Sequence, residues 1–159
     1  MGEDARFEDA AERPLHLKAE AAEDVPVISA LAQDAVFAIT DMSWQPKARR
    51  LALLLNRFRW EDRSAAEARG RPYERVRSLL VISGVTGVAS QGIDRTDTST
   101  VLSLLSIAWQ PGADGAGRVE LTLAGDGAIA AEVECLDLTM KDVTRPYVAP
   151  SHKAPSHPE

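Results

Sequence analysis

From Val36 onward apolar side chains recur at every second residue in short runs, and a chain patterned that way can bury itself only as β-sheet. The runs fall at 36–42, 49–60, 74–83, 85–91, 101–109, 118–124 and 129–140. Turn chemistry separates them: Gly84, Gly87, Gly92, the GADG at 112–115 and the GDG at 125–127, whose Asp126-Gly127 suits a tight hairpin. Connections this short force neighbours to pair antiparallel. Ahead of them Leu15, Leu17 and Ala19 alternate with His16 and Lys18, which reads as one more short strand. Between that strand and Val36 the period changes. Asp24 is placed as an N-cap or first-turn acid and Pro26 sits early in a helix running to about Asp34. Val27, Ile28, Leu31 and Ala35 form its expected buried stripe. The predicted fold class is α+β, mostly antiparallel β, with about eight strands curled into a sandwich or partly closed barrel and one helix in the N-terminal half.

The 159 residues suit one domain with a real core. Residues 1–13 are polar and charged, and four prolines punctuate 146–159; both ends are expected to be disordered, with the folded domain at 14–147 and a tail at 148–159. Trp44-Gln45-Pro46 and Trp109-Gln110-Pro111 each follow an apolar run and precede a basic residue and another run. Two readings stay open: a turn preference shared by unrelated hairpins, or a pseudo-repeated pair of hairpin units. No apolar run approaches the ~20 residues of a membrane helix, and 1–13 lacks the basic and apolar regions of a secretory signal. A single cysteine, Cys135, fits a reducing cytoplasm. Its alternation with Ala131 and Val133 predicts a shielded, inert thiol.

Charge is unevenly spread. Between Lys47 and Arg77 ten basic residues face four acids, a net of +6 on a chain whose remainder carries −12. On a strand starting at Arg49, Leu51, Leu53, Leu55, Arg57 and Arg59 share one face; on the next, Arg75, Arg77, Leu79 and Val81 do. If the two strands pair across a loop at 61–72 with those faces aligned, four guanidiniums cluster beside Phe58, Trp60 and Tyr73. Such a cluster can grip carboxylate or phosphate bidentately. Arg57, Arg59, Trp60, Tyr73, Arg75 and Arg77 are therefore the candidate partner-binding residues. The competing reading is that Glu61, Asp62, Glu67 and Glu74 pair them internally.

Other chemistry is thin. His16 stands apart from His152 and His157 in the tail, and a Cys135/His16 dyad needs their strands to be neighbours. Glu132 and Glu134 share a face at spacing two; such a pair can bind a cation or do acid/base work, but is more often the wet face of an edge or amphipathic strand. Asp94 and Asp97 sit among hydroxyls, a set that could coordinate a hard cation, but turn formation explains it as well and no bidentate acid sits at the calcium-loop position. No zinc cluster, phosphate loop or nucleophile elbow occurs. No catalytic residue, metal or cofactor is expected, although Glu132, Glu134 and Asp97 would be the first acids to suspect in an enzyme.

The runs RRLALLLNRFRWE at 49–61, VLSLL at 101–105, GDGAI at 125–129 and VECL at 133–136 resemble a bacterial family known only as a domain of unknown function. The resemblance spans residues 15–147 and implies a small, stand-alone cytoplasmic protein, with no activity or cofactor attached. The residues themselves point to a non-catalytic interaction or scaffold module. Its expected partner is a protein, self-association included, ahead of nucleic acid or a phosphorylated ligand, and no membrane.

Overall fold

The alternation becomes eleven strands in the computed structural model, which describes residues 13–148 and 154–155. In chain order they are β1 (His16–Ala19), β2 (Val36–Ala38), β3 (Met42–Gln45), β4 (Arg50–Phe58), β5 (Glu74–Ser83) and β6 (Val85–Gln91). Then come β7 (Val101–Pro111), β8 (Gly117–Leu123), β9 (Ala128–Val133), β10 (Leu138–Asp142) and β11 (Tyr147–Val148). All pairings are antiparallel, in the order β1-β10-β5-β4-β2-β7-β8-β9-β6, with β3 added to β4 and β11 to β5. The expected disorder at 1–12, and across most of the tail, lies outside the described residues.

The sheet is open, since β1 and β6 end its path, yet the chain carries it back over itself. β5 runs into β6 through Gly84 at φ 68°, and β9 runs into β10 through residues 134–137. Glu134 N–H reaches Gly84 C=O at 3.0 Å and Ser83 N–H reaches Asp137 C=O at 2.9 Å across that corner. Both halves therefore face one core: Leu51, Leu53, Leu80 and Ile82 from one, Leu121, Leu123, Ile129 and Ala131 from the other. The first helix, α1 (Val25–Ala32), plugs this core with Val25, Ile28 and Ala32. Pro26 suits its first turn, where no intrahelical partner for the missing N–H is needed. Ser29 anchors it by accepting the Ile107 N–H of β7 at 2.9 Å.

Several expectations change. The strand count is eleven, not about eight, and they form one open sheet folded back over its core where a sandwich or partly closed barrel is expected. The run at 36–42 breaks at a 3-10 turn, Ile39–Asp41, and the run at 129–140 breaks at 134–137. Val27 is 53% exposed and lies off the buried stripe. A second helix, α2 (Arg63–Arg69), occupies the expected loop between β4 and β5. Its sequence RSAAEAR is made almost entirely of good helix formers. Gly70 stops it at φ 64°, with its N–H turned to the Glu67 carbonyl at 3.3 Å. Cys135 falls in the break after β9, where the strand's alternation no longer holds, and its thiol is exposed. It is expected to alkylate in the native protein at neutral pH; labelling only after denaturation would contradict this placement.

The two Trp-Gln-Pro segments take equivalent places at the close of a hairpin's first strand, with Trp44 opposite Leu51 and Trp109 opposite Val119. The second hairpin needs its glycine. A Cβ on Gly117 would meet the Trp109 ring and the Gln110 carbonyl oxygen, both at 2.5 Å. Gly117→Ala is expected to cost about 1–3 kcal/mol, the usual range for overpacking, as a lowered denaturation midpoint; an unchanged midpoint would show that the ring can give way.

Candidate docking surface

The register between β4 and β5 decides where the arginines go. Arg57 pairs with Val76, Phe58 with Arg75, Asn56 with Arg77 and Leu55 with Ser78. Relative to the aligned arrangement that the sequence permits, this is a slip of one residue, and a slip of one exchanges the faces of a strand. Arg57 and Arg59 go to the core side with Leu51, Leu53 and Leu55. Arg75 and Arg77 go to the opposite face. The four guanidiniums do not cluster.

On the core side the arginines are consumed. Arg57 is fully buried, and its guanidinium meets Glu61 through two parallel bonds of 2.8 Å. It also donates to Asp142 at 2.9 Å and to the Ser78 hydroxyl at 2.9 Å. Ser78 in turn donates to Asp142 at 2.7 Å, and Asp142 accepts the Leu15 N–H at 2.9 Å. Burial alone would lower the pKa of Arg57, but Glu61 and Asp142 outweigh it and hold the pKa above its ordinary value. Arg59 donates to Glu74 at 2.6 Å and lies 3.6 Å from the buried Asp62, which Arg71 clasps at 3.0 and 3.1 Å. Phe58 packs edge-on to Trp60 and Tyr73, with ring centroids 4.7 and 5.5 Å apart. The Trp60 indole donates to the Gln33 carbonyl at 2.9 Å. Tyr73 donates to Glu67 at 2.7 Å, which with Arg63 at 3.1 Å keeps that exposed carboxyl below its usual range.

Removing one member of a buried ionic group leaves the others uncompensated, at about 3–5 kcal/mol. Arg57→Met is expected to lose about that much in chemical denaturation, whereas Arg77→Ala should stay within about 0.5 kcal/mol of the parent. Equal midpoints for the two variants would refute the distinction.

The opposite face of β1, β10, β5 and β4 is different in kind. Following the register outward, Lys18, Thr139, Val81 and Ala52 form one row, and His16, Lys141, Leu79 and Leu54 form the next. Arg77 and Asn56 follow, then Arg75, while Arg50 closes the far end of β4. Ala52, Leu54, Leu79 and Val81 are half-buried; Lys18, Arg50, Arg77 and Lys141 are exposed. No Asp or Glu takes an outward position on these four strands, among the described residues. Lys18 has Glu20 at 3.4 Å, just past the end of β1. Arg75 lies flatter, donating to the Asn56 side chain at 2.7 Å and its carbonyl at 3.0 Å, and burial lowers its pKa. The result is an aliphatic centre ringed by cations. Sequence reasoning found Arg75 and Arg77 but missed Arg50, which the register of β4 on β5 brings onto their face, and Lys18 and Lys141, which strand order brings there.

The acids suspected of chemistry are occupied elsewhere. Glu132 accepts from Arg118 at 2.7 Å and Glu134 from Arg49 at 2.6 Å, all exposed. Asp97 accepts from the backbone and hydroxyl of Ser99, and Asp94 does the same for Thr96, which lowers the Asp94 pKa. His16 pairs opposite Lys141 on β10, whereas Cys135 precedes that strand's other end. Among the described residues, no three His, Cys, Asp or Glu side chains gather as a metal site. A groove of about 480 Å³ runs between α1 and β7 beside Trp109, and its walls carry no ionisable side chain. No helix among the described residues is long and apolar enough to cross a membrane.

The family described as a protein of unknown function, DUF2948, matches residues 15–157, and the chain belongs to that family. Neither the curated proteins nor the solved structures contain a match.

Proposed function

We propose that this DUF2948 chain is a non-catalytic interaction module that binds an acidic protein partner on the outer face of β1, β10, β5 and β4. One observation carries the reading. Five Lys and Arg side chains share outward positions around Ala52, Leu54, Leu79 and Val81, and no carboxylate shares those positions on the four strands. A rim of charge around an apolar centre is the anatomy of a protein interface, in which cations set the association rate and register while apolar contact supplies affinity. The stems of Lys141 and Arg77 extend that apolar ground while their heads stay in water.

The aliphatic centre also favours protein over nucleic acid. Single strands bind by stacking bases on aromatic side chains, and here Phe58 is buried, with Trp60 and Tyr73 packed edge-on against it. The test compares the 159-residue chain with an Arg50→Glu/Arg77→Glu/Lys141→Glu variant as baits for cross-linked partners, with and without nuclease. The expected outcome is one or two proteins lost from the variant and insensitive to nuclease. Their association rate should fall steeply with salt. Identical partner sets would refute the surface. Capture abolished by nuclease, with a log–log salt slope near −0.7 per phosphate contacted on a single strand, would replace the protein reading with a nucleic-acid one.

A further inference from the structure

The basic face has a complementary segment within the same chain. Residues 3–12, outside the described region, hold Glu3, Asp4, Glu8, Asp9 and Glu12 against the single cation Arg6, with Phe7 among them. They lead through Arg13 and Pro14 to Leu15, whose N–H and C=O are both bonded to Asp142, at 2.9 and 2.8 Å. The segment is thus tethered at the edge strand of the very sheet that carries the cations. It leaves at the end where Lys141 and Arg77 project, one row from Leu79 and Leu54.

Reach and charge both fit. Crossing from β1 to β4 takes three strand spacings, about 14 Å. The seven residue-to-residue steps from Phe7 to Pro14 can extend about 23 Å. Phe7 can therefore stand over Leu54 and Leu79 while Glu8, Asp9 and Glu12 pass among Lys141, Arg77 and Lys18. A tether this short supplies a millimolar effective concentration, so modest complementarity suffices for occupancy.

We propose that residues 3–12 dock on the outer face in cis, with Phe7 on the aliphatic centre, and that the acidic partner must displace them to bind. The segment is then a built-in competitor that sets a threshold for partner affinity. This rests on the reading of the face as a docking surface, but its test needs no partner, so the two can fail separately.

The test couples carboxylates to lysines in the purified 159-residue chain with a zero-length carbodiimide. The internal control is Lys18–Glu20, which are 3.4 Å apart. The expected products join Lys141 or Lys18 to Glu8, Asp9 or Glu12 within one molecule. Their yield should fall several-fold between 0.1 and 1 M salt, as the screening length shrinks from about 10 to about 3 Å. In parallel, methyl resonances of Leu54, Leu79 and Val81 should shift in a Phe7→Ala/Glu8→Gln/Asp9→Asn/Glu12→Gln chain relative to the parent. The proposal is overturned if the control couples and the segment does not. It is also overturned if the methyls are indifferent to the substitutions, or if the products appear only between two molecules.

Discussion

Arg57 is the charge around which one end of this molecule is organised. Its guanidinium ties β4 to β5 through Ser78, to β10 through Asp142 and to the turn before α2 through Glu61; Asp142 then holds the chain entering β1. A buried cation is tolerated only when its donors are met by carboxylates in good geometry, and here two acids and a hydroxyl meet it. An apolar replacement of equal volume could offset much of the stability. It would hold the four segments in one register less strictly, because directional hydrogen bonds penalise a slip that leaves apolar contacts on both faces of β5 nearly unchanged. Arg59, Asp62, Arg71 and Glu74 extend the same arrangement around the loop that holds α2.

That clamp also sets the electrostatics of the surface. The acids flanking the arginine stretch are drawn inward or along the loop: Glu61 to Arg57, Glu74 to Arg59, Asp62 to Arg71 and Glu67 to Arg63. What remains outward on the other face is cationic. A chain of net −6 therefore presents one basic sheet face, and the imbalance arises from how charges are sorted between faces rather than from how many there are. The aliphatic centre of that face would be a sticky surface if left bare, and a tethered acidic segment would answer both the charge and the apolar area.

The sequence by itself determined the β character, because side-chain alternation with period two is a local property of the extended backbone. It placed β5 at 74–83 and β6 at 85–91, the core face of β4 from Leu51 to Arg57, and the helix opened by Pro26. Asp94 and Asp97 were legible as turn formers for the same local reason, and α2 could have been read from RSAAEAR followed by Gly70. Tertiary structure alone decided the rest. Whether Arg57 sits beside Arg75 or beside Val76 depends on a one-residue register that neither strand encodes; the contacts of Ser78 and Asp142 to Arg57 select it. Cys135 emerged because β9 ends where the sheet turns its corner, and that corner is set by pairing with β6 and β5. Arg50 joined Arg75 and Arg77 through that same register, and Lys18 and Lys141 only when strands distant in sequence became neighbours, since a face shared across strands is a property of sheet order, not of any one run of residues.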